Sequence, residues 1–131
     1  LFPGIILTKI FGNQMEKNGW GRIVHLSSIG VKYGGGKGSF CYSLSKHGLE
    51  FFPSKVKEWA KKNVLVNTVR VGVTNTKIHK KLPYKNLKKR AKLIPIKRFA
   101  TINEIVNYIY FLGSSKNTYI TNEVISISGG E

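Results

Sequence analysis

Val64-Leu65-Val66-Asn67-Thr68-Val69-Arg70-Val71 is dominated by β-branched residues. Their stiff side chains disfavour a helix and suit a packed, pleated surface, so the run reads as a buried strand. Two further runs have the same character. Arg22-Ile23-Val24-His25-Leu26-Ser27 follows a glycine, and Val124-Ile125-Ser126-Ile127-Ser128 ends in Gly129-Gly130. Each is a short apolar run bounded by turn residues, as a buried strand should be.

Helical patterns fill the intervals. Ile5 to Lys17 predicts a helix with Ile6, Ile10 and Phe11 on one side, stopped by Asn18-Gly19. Ser28 to Gly38 is glycine-rich loop. Phe40 to about Lys62 predicts one long helix, because Leu49, Phe52, Val56, Trp59 and Ala60 recur at helical spacing. Pro53 lies inside it and should kink it. Lys77 to Lys92 is strongly basic, partly helical, and broken at Pro83. Thr101-Ile102-Asn103-Glu104 is a capping box opening a helix whose stripe is Ile102, Ile105, Val106, Ile109 and Tyr110, and Gly113 can end it.

Strands alternating with helices predict an α/β fold with parallel pairing. Nearly all-apolar strands predict a sheet covered on both faces, a three-layer αβα arrangement. Ligands of such sheets bind beyond the strand C-termini. Those ends fall at Ser27-Ser28, Gly72 and Gly129.

Composition narrows the function. The 131 residues are about one small domain. The net charge is +16, but Arg supplies only 4 of the 22 basic residues. Nucleic-acid readout leans on Arg forks, so the bland reading is a solvated lysine surface, and nucleic acid is not an expected partner. All six acids are Glu, which removes any Ser-His-Asp triad and most carboxylate metal sites. Cys41 is the sole cysteine, without a disulfide or metal partner. His25, His47 and His79 lack metal-ligand spacing, so no metal is expected. No signal peptide or membrane span is legible, and a cytoplasmic protein is expected. The chain opens at Leu1 without an initiator Met, so upstream sequence is expected as well.

The chemistry gathers at Tyr42-Ser43-Leu44-Ser45-Lys46. Tyr42 and Lys46 are four apart, so they share a helix face. A free phenol is a poor base near neutrality, and a neighbouring ammonium favours its phenolate. Such a phenol can exchange a proton with an alcohol or carbonyl oxygen. The spacing alone is weak, since Tyr and Lys fall four apart in many helices. Gly34-Gly35-Gly36-Lys37-Gly38-Ser39 fails as a phosphate loop: Val31 stands at the first glycine position and Gly38 where Ser or Thr is needed. Ser27 and Ser28 could merely end a strand, His25 could be a satisfied strand residue, and Trp20 and Trp59 read as packing.

Context supplies the weight. Gly21-Arg22-Ile23-Val24-His25-Leu26-Ser27-Ser28 is followed by Tyr42-x-x-x-Lys46-x-Gly48-Leu49 and Val66-Asn67-Thr68-Val69. Then come Gly72-x-x-x-Thr76, Ile94-Pro95-x-x-Arg98, Glu104-Ile105 and Phe111-Leu112-x-Ser114. Tyr119-Ile120-Thr121-Asn122 and Ser128-Gly129-Gly130 complete the set. In order and nearly in spacing, these motifs resemble the C-terminal half of the short-chain dehydrogenase/reductase family, over essentially the whole chain.

The resemblance implies a Rossmann-like doubly wound parallel sheet, with residues 1–131 as a single partial domain, its catalytic, substrate-side half. It implies reversible hydride transfer between NAD or NADP and a carbonyl or alcohol substrate. Tyr42 would be the general acid/base, and Lys46 would hold the nicotinamide ribose and tune the phenol. Ser28, with Ser27 as the alternative, would hold the substrate oxygen. Gly72, the backbone near Val73 and Thr76 would hold the cofactor's carboxamide. A homo-dimer or homo-tetramer is implied too.

The chain also departs from the family. The T-G-x-x-x-G-x-G phosphate motif is absent, and the family's catalytic Asn would fall just before Leu1. Val71 stands where a Pro is usual. Lys77, Lys80, Lys81, Lys85, Lys88, Lys89, Arg90 and Lys92 surround the expected substrate lid, which would suit an anionic substrate. The competing readings are an inactive truncated fragment and a basic nucleic-acid-binding module.

Overall fold

A computed structural model of the chain describes residues 1–79 and 84–131. Pro83, Lys80 and Lys81 lie outside the described residues, as do the side chains of His79 and Lys85.

Strands β1 (Gly21–Ser28), β2 (Val64–Val71) and β3 (Val124–Ile127) form one parallel sheet in that order. Ser28 pairs with Val71, and Val71 with Ile127, so all three strands finish level. The helices are α1 (Phe2–Asn18), α2 (Phe40–His47), α3 (Lys55–Lys61), α4 (Tyr84–Leu93) and α5 (Ile102–Gly113).

The pleat sorts the strand side chains between two layers. On one face Ile23, Val64 and Val66 meet Val56 and Trp59 of α3 and Met15 of α1. On the other, Val24 approaches Gly113 of α5. Asn67, fully buried, donates to the Ile120 carbonyl at 2.8 Å and accepts from the Glu123 N–H at 3.2 Å. That satisfies a polar side chain in the core, which would otherwise be costly. Helices thus cover both faces of a parallel α/β sheet, as the strand composition predicts.

Two helices differ from expectation. In α1, Ile6, Ile10 and Phe11 are exposed. The side that packs is Gly4, Thr8, Gly12 and Met15: Thr8 bonds His25, Gly12 lies against the Trp59 ring, and Met15 covers Gly21. Small residues let the helix approach closely, and an added Cβ on Gly12 would overlap the indole.

The long helix from Phe40 to Lys62 is in fact two. α2 ends at His47, a 3-10 turn spans Gly48–Glu50, and Phe51 is extended before α3 begins at Lys55. Pro53 has no N–H to give Leu49 and its ring would clash with that carbonyl, so it breaks rather than kinks the helix. The Leu49 carbonyl instead accepts from the Thr68 hydroxyl at 2.8 Å.

The capping box on α5 forms as predicted. Its buried face is narrower than the apolar stripe: Ile105 and Leu112 are buried, while Ile102, Val106 and Tyr110 are exposed.

Candidate active site

The level strand ends create a cavity of about 330 Å³. Ser28, Tyr42, Gly72, Val73 and Thr76 all line it. Residues from three separate stretches of the sequence therefore meet where parallel sheets place their ligands.

Each is positioned by local chemistry. Ser28 is the last residue of β1 and caps the following 3-10 turn, accepting from the Gly30 N–H at 3.2 Å. Tyr42 lies in the first turn of α2 and is 52% exposed. At Gly72 an added Cβ would stand 2.7 Å from Ser128 Cα and 2.8 Å from the Ile127 carbonyl oxygen, so the chain passes there only without a side chain. Beyond it, the Ala100 N–H donates to the Val73 carbonyl and the Asn75 N–H to the Ala100 carbonyl, each at 2.9 Å. These bonds strap the segment carrying Thr74 and Thr76 across the cavity's side.

Lys46 is not part of that lining. Its ammonium sits 5.9 Å from the centre of the Tyr42 ring and donates to the Leu26 carbonyl at 2.8 Å. The two serines are also separated. Ser27 is 3% exposed and points to the opposite face of the sheet, where its hydroxyl lies 2.7 Å from Glu50 Oε1 and 3.2 Å from the Lys46 carbonyl oxygen. Both serines border the cavity, but of the two only Ser28 has a hydroxyl without a carboxylate partner among the described residues.

Glu50 and Arg70 escaped the sequence reading. The Arg70 guanidinium grips the Glu50 carboxylate with two hydrogen bonds, of 2.8 and 2.6 Å. Burial by itself would raise the Glu50 carboxyl. Hydrogen bonds from Arg70 and Ser27, with the positive charges of Arg70 and His47, outweigh it and hold the group below its ordinary range. A signal existed: Glu50 stands four residues after Lys46, one helical turn on. Its partner could not be read locally.

The remaining candidates lie outside this lining. His25 bonds Thr8 at 3.0 Å, and burial lowers its pKa. Trp59 is buried in the core and Cys41 is exposed. A larger cavity, about 500 Å³, lies between α1 and α3 on the other face; it is apolar and holds none of the predicted catalytic groups. From the basic segment, Arg90 pairs with Glu131 at 2.6 Å. No helix among the described residues is long and apolar enough to cross a membrane.

Comparison with known proteins gives a consistent picture. The sequence profile of the family described as Enoyl-(Acyl carrier protein) reductase matches residues 4–131. The chain is 39% identical over 125 residues to the 3-oxoacyl-[acyl-carrier-protein] reductase FabG of Buchnera aphidicola, covering 95% of this chain and 51% of that protein. It is 36% identical over 128 residues to the acetoacetyl-CoA reductase of Cupriavidus necator, covering 95% and 50%. A crystal structure from Beutenbergia cavernae, described as an NAD(P) dependent gluconate 5-dehydrogenase with bound NADP, superposes with a TM-score of 0.88 at 29% identity. That match covers 99% of this chain and 53% of the other. The chain thus spans about half the length of the relatives it matches.

Proposed function

The chain belongs to the short-chain dehydrogenase/reductase family, and from that premise we propose that it is the catalytic, substrate-side half of a nicotinamide-dependent reductase acting on 3-oxoacyl thioesters. The observation that carries this reading is the convergence of Ser28, Tyr42, Gly72, Val73 and Thr76 on one cavity at the strand ends. The thioester class follows from the names of the reductases above, which act on acyl groups carried by acyl carrier protein or coenzyme A.

The cavity suits the nicotinamide end of NAD or NADP. Its wall combines a hydroxyl at Thr76, a phenol at Tyr42 and the backbone at Gly72 and Val73. When bound, the cofactor supplies the hydride. The chain's own residues do the rest. Ser28 orients the carbonyl oxygen of the substrate toward Tyr42. The Tyr42 phenol gives that oxygen a proton as the carbon is reduced, and is reprotonated from solvent. Lys46 keeps positive charge beside the phenol ring and turns to the cofactor's ribose. The basic side chains around α4 favour an anionic carrier on the substrate.

Self-association into a homo-dimer or homo-tetramer accompanies this reading. α1 leaves Phe2, Ile5, Ile6, Ile10 and Phe11 each at least half exposed, an apolar surface of the sort that partners cover. The test is NADH or NADPH oxidation with acetoacetyl-CoA, using the protein as its host makes it. Absence of both cofactor binding and turnover would reject the proposal.

A second reading has one observation in its favour. Among the described residues β1 pairs only with β2, so its other edge is open, a site where another strand could pair. The chain by itself would then be an inactive fragment. Hydrogen exchange decides: weak protection along β1 supports the fragment, strong protection an independent domain.

A further inference from the structure

We propose that Glu50 is a positioning residue, a single carboxylate that fixes the Tyr42–Lys46 helix against the ends of both β1 and β2. The inference rests on the reductase reading and adds to it a residue that touches neither cavity nor substrate.

Three contacts converge on this carboxylate. Ser27, the neighbour of Ser28, donates to it from β1 at 2.7 Å. Arg70, two residues before Gly72, forks onto it from β2 at 2.8 and 2.6 Å. His47, the last residue of α2, lies 3.4 Å away. Ser27 also reaches the Lys46 carbonyl, and Thr68 the Leu49 carbonyl. The C-terminal end of α2 is therefore pinned to the sheet at successive points, with Glu50 at the centre.

This arrangement is a weak device for stability. The Glu50 side chain is 5% exposed and that of Arg70 25%. Buried ion pairs recover little more than their desolvation cost, and apolar replacements are often neutral. What a bidentate fork adds is direction, since a planar guanidinium accepts a carboxylate in few orientations. Each segment gripped by Glu50 carries a group of the cavity: Ser28 follows Ser27, Gly72 follows Arg70, and Tyr42 precedes it by two turns. A slip of α2 along the sheet would change the Ser28–Tyr42 separation, and proton transfer is sensitive to such displacements.

The test measures steady-state kinetics of the protein as its host makes it, with acetoacetyl-CoA and NADPH. Glu50→Gln keeps the size but removes the charge and replaces one acceptor oxygen with an NH2 donor. Its kcat should fall roughly 10- to 100-fold, while KM for acetoacetyl-CoA stays within about threefold. Because Glu50→Gln strands a buried Arg70, Ser27→Ala serves as a milder variant; it should lower kcat in the same direction with the fold intact. In the Ser27→Ala/Glu50→Gln double variant the loss should be clearly less than the product of the single losses, the mark of one unit. Folded variants with wild-type kcat would overturn the inference and leave the reductase reading standing. A wild type that neither binds NADPH nor turns over would overturn both.

Discussion

Lys46 donates its ammonium proton to the main-chain carbonyl of Leu26 at 2.8 Å, two residues before Ser28. The lysine that flanks the phenol in sequence is thus tied to the strand that carries the serine. Lys46→Met should remove both the tie and the charge beside Tyr42. The expected result is a loss of turnover at least as large as a rise in cofactor KM, read from NADPH titrations.

Tyr42→Phe keeps the ring and removes only the hydroxyl. That residue is half exposed, with no hydroxyl hydrogen bond among the described residues, so melting temperature should barely move. Turnover should fall about 10²- to 10⁴-fold, the usual contribution of a positioned acid or base. Unchanged turnover would remove Tyr42 from the mechanism.

Ser28→Ala separates chemistry from capping. Loss of the cap on the 3-10 turn should cost about 0.5–2 kcal/mol, measurable by urea unfolding. A much larger effect on kcat/KM is expected, about 10²-fold or more, if the hydroxyl orients the substrate.

Gly72→Ala tests the tightest backbone passage at the cavity. The new methyl would meet the main chain of Ile127 and Ser128, which cannot swing aside. Destabilisation of about 1–3 kcal/mol is expected, together with weaker NADPH binding by fluorescence titration.

Acid stability should depend on Glu104. Its carboxylate bonds Arg98 twice, at 2.8 and 2.6 Å, and the Thr101 N–H at 2.7 Å. The Arg98 bonds foremost, then the Thr101 N–H, lower its pKa from 4.5 to about 2. A depressed carboxylate favours the fold above its unfolded pKa. Its contribution is therefore complete above about pH 5 and is lost as pH falls toward 2. Glu104→Gln should flatten that part of the stability–pH curve; an unaltered curve would show that the pair contributes nothing in solution.

The strands and the capping box were legible because their causes are local. β-branched runs between turn residues fix Val64–Val71 as a strand, and Thr101 and Glu104 reach only their own helix end. The motifs also placed Tyr42, Gly72 and Thr76 at strand or helix ends. Where local pattern and packing disagreed, packing won. The apolar residues of α1 face outward because Gly12 lets the backbone settle on Trp59, and Pro53 divides the long helix because Thr68 can take the Leu49 carbonyl.

By itself, then, the order of residues determined an α/β chain with a Tyr–Lys pair on a helix, since periodicity and turn chemistry act over a few residues. What distinguishes Ser27 from Ser28 is their tertiary surroundings. Adjacent strand residues point to opposite faces, and only the assembled sheet brings Glu50 and Arg70 to the Ser27 hydroxyl while that of Ser28 accepts from the Gly30 N–H.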